Sequence, residues 1–173
     1  MGGEPRWMVL DANVVINFAH VEGLEILGGL PAYRCAVPEE VVLEVTDPGQ
    51  TARLDAAIGA GMFDLVRITD LGEMDDYAGL RRMLGAGEAA CLAIAHSRGW
   101  LVASDERRAL RRLVRERIGE DRLRTTPDLI VDAIRCGSIT VEEADRWKAV
   151  LETRRFRMPF ASFADLLDGG ALS

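Results

Sequence analysis

Three observations place this chain in the α/β class, with a parallel sheet between layers of helix. Short apolar runs bounded by turn residues recur along it, and a helical pattern follows each run. The runs are hydrophobic on consecutive residues rather than alternate ones, as strands buried on both faces require. The first run is Trp7–Leu10, followed by helical patterns over Asn13–His20 and Val21–Gly28. The second is Arg34–Val37, leading into Pro38–Val45 and Gly49–Gly59. Pro38 suits a first helical position, where its missing N–H would have no partner. The third run, Phe63–Ile68, precedes Leu71–Leu84 and Glu88–Arg98, and the fourth, Trp100–Ala103, precedes Glu106–Arg117. The fifth, Arg122–Arg124, is the shortest and precedes Pro127–Arg135. Thr140 and Glu143 have the spacing of a capping box ahead of Val141–Thr153, and Pro159 is placed to open a last helix. With no repeat, low-complexity segment or linker, residues 1–173 are expected to form a single domain with a helical C-terminal extension over about 138–173.

The 173 residues are enough for a full hydrophobic core, and the 49% hydrophobic and 28% charged content is an ordinary globular balance. No apolar run is long enough to cross a bilayer. The opening MGGEPRWMVLDANVV lacks the basic start and small-residue cleavage site of a signal peptide, and Arg6 stands where a lipidated Gly2 would need Ser or Thr. A cytoplasmic address is therefore expected. Cys35, Cys91 and Cys136 sit far apart in apolar segments and read as buried free thiols. No CxxC or HxH spacing supports structural zinc. The net charge of −7 argues against a generic nucleic-acid coat, which would be basic, but leaves room for a nuclease whose acidic metal site contributes to that charge.

Parallel α/β sheets bind ligands beyond the carboxyl ends of their strands. Asp11 follows the first strand in VLDANV, and Asp105 follows the fourth in WLVASDERRA, so both acids belong at one edge of the sheet. Each alone would serve as a helix N-cap. Glu88 opens the apolar helix of LGAGEAACLAIA, where the helix dipole favours an acid and the buried helix aims it at the same edge. Glu44, in VPEEVVLEV, falls at the border of the face formed by Pro38, Val41, Val42 and Val45, while Glu39 and Glu40 serve the first turn. Converging carboxylates repel and need cations or protons. Oxygen ligands without His or Cys suit magnesium or manganese. His20 and His96 have no spacing to the acids, and His96 reads as a half-buried helix residue. Neither a GxxxxGK[ST] phosphate loop nor a GxSxG elbow is present. The most economical chemistry is metal-assisted attack of water on a phosphodiester.

With these residues in place the chain resembles the PIN-domain nucleases. The resemblance lies in the order of the acids: VLDANV, a Pro-led helix ending in Glu44, GEA at Glu88, and LVASD at Asp105, spanning roughly Val9 to Gly137. It implies a three-layer α/β/α fold with a five-stranded parallel sheet in the order 3-2-1-4-5. It also implies a Mg2+- or Mn2+-dependent endoribonuclease, commonly the VapC-type toxin of a type II toxin–antitoxin pair. An antitoxin protein and a homodimer are the partners expected. Asp11, Glu44, Glu88 and Asp105 match the family's acids; Asp11, Glu88 and Asp105 would bind metal, and Glu44 would complete its shell or orient the attacking water. Asn13 and Ser104 would support them from behind. Thr125, Thr126 and Asp128, in RLRTTPDL, lie where the family places a late strand and turn, with no assignment between the two threonines.

Two further patterns suggest surfaces. Arg108, Arg111, Arg112 and Arg115 share one face of the helix after Asp105, as RNA-phosphate contacts or as a solvated face beside Glu106 and Glu116. Phe156, Phe160, Phe163 and Leu167 recur at helical spacing, as core or as a dimer or antitoxin interface. The competing functional readings are a non-catalytic PIN-fold interaction module and a metal-dependent DNA nuclease or phosphatase. Retention of the four acids opposes the first, and Asn13 in place of a second Asp opposes an aspartyl phosphatase.

Overall fold

The computed structural model describes residues 3–169; Gly2, weighed above for lipidation, and the end of the C-terminal extension lie outside them. Five strands, β1 (Arg6–Leu10), β2 (Tyr33–Pro38), β3 (Phe63–Val66), β4 (Leu101–Ala103) and β5 (Leu123–Arg124), form one parallel sheet in the order β3-β2-β1-β4-β5. Central β1 pairs Val9 with Ala36 on one side and Val102 on the other. Met8, Val9 and Leu10 are fully buried, so both faces of the strand are covered and consecutive residues must be apolar.

The covering helices are α1 (Ala12–His20), α2 (Leu24–Gly28), α3 (Glu39–Glu44), α4 (Pro48–Gly59), α5 (Leu71–Leu80), α6 (Ala86–Arg98), α7 (Ala109–Arg117), α8 (Thr126–Arg135), α9 (Val141–Thr153) and α10 (Phe163–Asp168). Leu92 and Ile94 are fully buried in α6, and Gly99 then turns the chain into β4 at a left-handed φ of 72° that other residues resist. That turn brings Ser104 and Asp105 to the carboxyl edge beside Asp11.

Several boundaries differ from the sequence reading. Pro38 ends β2 as the cap of α3, with extended ψ, rather than forming its first turn. Helix α5 stops at Leu80 rather than Leu84, because the Arg81 guanidinium donates to the Leu84 carbonyl and closes a turn. Helix α7 starts at Ala109 rather than Glu106, since the Glu106 carboxylate takes the amides of Arg108 and Leu110 and holds a loop instead. Pro159 lies before α10, which Ser162 opens by accepting from Ala164 N. The box at Thr140 and Glu143 forms as expected. The phenylalanine stripe is largely internal: Phe163 is fully buried and Phe160 packs edge-on against it at 5.0 Å. Cys35 and Cys91 are buried thiols, but Cys136 is exposed, because it caps the C-terminal end of α8 rather than lying within its apolar face. His96 is exposed too and pairs with Asp76.

Two tertiary ties anchor the molecule away from the carboxyl edge. Buried Glu73 of α5 receives both Nε and Nη2 of Arg98 on α6. At the amino edge of the sheet, Trp7 and Trp100 stack with centroids 4.7 Å apart, flanked by the guanidinium of Arg34 over Trp7 and that of Arg98 over Trp100.

Candidate active site

The carboxyl edge opens into a cleft of about 430 Å³ lined by Asp11, Ala12, Asn13, Ile16, Glu44, Gly85 and Glu88. Asp11 reaches it because its backbone N–H closes the sheet against Ala103 O while its carboxylate caps α1 through Ala12 N. Its other oxygen accepts from Ser104 Oγ at 2.7 Å and from Asn13 Nδ2 at 3.2 Å. Ser104 is completely buried, so its hydroxyl is a fixed donor. Burial pushes the Asp11 carboxyl up to about 6, with Glu88 and Glu44 adding to the rise against the Ser104 and Ala12 hydrogen bonds.

Glu44, the last residue of α3, accepts from Gly87 N at 2.8 Å across the cleft. A Cβ on Gly87 would meet Glu44 Oε2 at 2.6 Å, so the glycine is what lets this carboxylate settle there. Glu88 accepts from Gly85 N at 3.2 Å, capping α6 with one oxygen, and burial raises its pKa, with Glu106 and Glu44 contributing.

Asp105 is not in this cleft. Its Oδ1 accepts from Thr126 N at 2.7 Å, and its Oδ2 accepts from Thr126 Oγ1 at 2.6 Å and Asn17 Nδ2 at 3.0 Å. Burial raises its pKa and those bonds oppose the rise. Asp105 reaches the cleft through its backbone N–H, which donates to Asn13 Oδ1 at 3.1 Å. Asn13 thus joins Asp11 to Asp105. Thr126 is the threonine that meets the acid, while Thr125 and Asp128 are spent as the capping box of α8.

Two residues of this neighbourhood escaped the sequence reading. Glu40, one turn before Glu44, has Oε2 buried without a hydrogen-bond partner. Burial raises the Cys91 thiol well above its ordinary value, and the charges of Asp11, Glu44, Glu40 and Glu88 add to the rise. The signal was the i,i+4 spacing of Glu40 and Glu44, which puts both on one helix face. Asn17 bears the same spacing to Asn13 in an otherwise apolar helix.

Of the arginine face on α7, Arg111 and Arg115 both hold Glu120, while Arg108 and Arg112 make no ion pair among the described residues. One carboxylate thus offsets one of the four positive charges of that stripe.

The donor set is hard oxygen, no cation pairs with Asp11, Glu44 or Glu88 among the described residues, and a buried carboxylate oxygen lacks a partner. That chemistry fits a divalent cation. Among the described residues, no group of three or more His, Cys, Asp or Glu side chains is arranged to ligate one ion by itself.

A parallel α/β sheet in this strand order with acids at its carboxyl edge matches the fold expected of a PIN domain. A family model described as a PIN domain matches residues 7–165, and the chain belongs to the PIN-domain family. PIN domains are generally nucleases and typically use divalent metals. No curated protein matches the chain. Among the described residues no helix is long and apolar enough to cross a membrane.

Proposed function

We propose that this chain is a Mg2+- or Mn2+-dependent endoribonuclease acting as a VapC-like toxin of a type II toxin–antitoxin pair in the cytoplasm. The observation that carries the nuclease reading is the buried Asp11 carboxylate, facing Glu44 and Glu88 in one cleft with no cationic side chain among the described residues to neutralise it. The toxin reading rests on the resemblance.

In this reading Asp11 and Glu88 would hold the ion together with water. Bound there, the ion would supply Lewis acidity, acidifying water and neutralising charge that develops on the phosphate. Ser104 and Asn13 fix which Asp11 oxygen faces the cleft. Glu44, exposed and tethered at one oxygen, orients the attacking water with the other. Asp105 is a positioning residue: Thr126 and Asn17 hold it, and it holds Asn13. Residues 1–173 act as one domain, with the extension from about 138 carrying α9 and α10. Leu43 and Leu71, 78% and 81% exposed, supply apolar surface for a second copy or an antitoxin helix.

The test incubates the protein and Asp11→Asn with structured RNAs and with single-stranded DNA, in magnesium, manganese or chelator. Metal-dependent RNA cleavage lost in the variant is expected; equal cleavage by the variant sinks the proposal. Growth arrest on expression, relieved by a small neighbouring gene, is expected of a toxin, and unimpaired growth removes that part of the reading.

A further inference from the structure

Along α1 the residues that are not fully buried are Asn13, Ile16 and His20, spaced i, i+3 and i+7 on one face. Asn13 and Ile16 line the acidic cleft. His20 lines a second pocket, of about 480 Å³, at the far end of the same helix. The two openings thus lie along one continuous strip of surface. Nine residues of helix separate their ends by roughly 13 Å at about 1.5 Å each. That is roughly four phosphates of a stacked strand at about 3.4 Å apiece.

The second pocket differs from the cleft in charge. Arg53, Arg146 and Arg154 line it against Glu22 and Asp47, one positive charge in excess on a chain of net charge −7. Glu22 is already paired with Arg53 at 2.8 Å, and Asp47 caps α4 by accepting from Gln50 N. Arg146 and Arg154 make no ion pair among the described residues. They stand eight residues apart, Arg146 within α9 and Arg154 at its C-cap, with exposed Val150 between them. Gln50 lies opposite, its amide Nε2 within 3.4 Å of the His20 ring, so a neutral donor faces the same space. A pocket of this volume falls in the range of small-ligand sites. Two unpaired guanidinium forks suit an anionic oxygen group such as a phosphodiester.

We propose that this pocket is a phosphate-binding subsite for the RNA strand, in which Arg146 and Arg154 grip a backbone phosphate upstream or downstream of the bond cleaved at Asp11. The proposal rests on the nuclease reading above and gives the C-terminal extension a task. Helix α9 lays its cations beside α1, so the strand runs from the acidic cleft past Ile16 to the basic pocket.

The test measures binding of a fluorescently labelled single-stranded RNA to Asp11→Asn protein in magnesium, by anisotropy over a series of salt concentrations. Arg146→Ala/Arg154→Ala in that background should weaken binding about tenfold at low salt and reduce the salt slope by about 0.7, the value for one phosphate contact on a single strand. Arg6→Ala/Arg135→Ala removes the same charge elsewhere and should change affinity by less than about twofold. Arg146→Gln/Arg154→Gln repeats the test with side chains of similar length should the alanine pair unfold. Equal affinity and slope in the pocket variants and the control pair overturn the subsite, and metal-dependent cleavage by the unaltered chain in that case leaves the nuclease reading standing. An unaltered chain that neither binds nor cleaves RNA overturns both.

Discussion

Burial, with Glu88 and Glu44 alongside, lifts the Asp11 carboxyl from 3.8 to about 6. The folded chain then holds this proton more tightly than the unfolded chain. The stabilisation is complete below about pH 4 and disappears as pH rises through about 6, a span of roughly 3 kcal/mol at most. Without metal, the unfolding midpoint should therefore fall across that window. In Asp11→Asn the decline should shrink, leaving the variant more stable than the parent at neutral pH; calorimetry in chelator from pH 4 to 8 reads both. Gly87→Ala is expected to separate stability from function. The added Cβ meets only the end of the Glu44 side chain, so unfolding should change by less than about 1 kcal/mol, while the displaced carboxylate should lower metal-dependent cleavage at least tenfold. Asp11, Glu44 and Glu88 were legible in sequence because strand ends and helix entries fix where such residues lie. The hydrogen bonds of the Asp105 carboxylate to Thr126 and Asn17 were not, since partners 21 and 88 residues away leave no local mark. Glu40 was hidden by a sufficient local explanation, the dipole of its own first turn.

Each helix is held by ties of unequal worth. Thr140 caps α9 by accepting from Glu143 N, and Glu143 returns a bond to Thr140 N. Thr140→Ala should cost about 1 kcal/mol in denaturant unfolding. The ion pair between α5 and α6 matters more. Arg98→Ala would strand Glu73, which is 1% exposed, and should cost about 3 kcal/mol or more, whereas Arg34→Ala, at an exposed pair with Asp64, should cost less than about 1 kcal/mol. A smaller loss for Arg98→Ala than for Arg34→Ala would contradict this ranking. Sequence periodicity found nearly every helix but not every end. The ends that moved, at Leu80 and Ala109, moved because Arg81 and Glu106 spend their side chains on local backbone groups. Periodicity likewise gathered the α7 arginines onto one face without disclosing that Glu120 would fold back onto it.

At the scale of the molecule, alternation of apolar runs and helices was enough for the parallel sheet, while its strand order came from the family resemblance that the ordered acids carry. What sequence could not show is how the surface charge divides: an acidic cleft and a basic pocket at opposite ends of one helix, on a chain of net charge −7. Added Mg2+ should raise the unfolding midpoint at pH 7.5 in proportion to its occupancy, and should do so much less in Asp11→Asn. The chain also carries its own optical labels. Its three tryptophans fall into two groups: Trp7 and Trp100 are stacked at the edge of the sheet remote from the acids, and Trp147 lines the basic pocket. Exciton coupling of the stacked pair gives a near-ultraviolet signature that vanishes when the sheet opens and is silent to ligands, while Trp147 emission responds to whatever fills the pocket. Unfolding and strand binding can thus be followed in one cuvette at two signals, without attaching a dye to the protein.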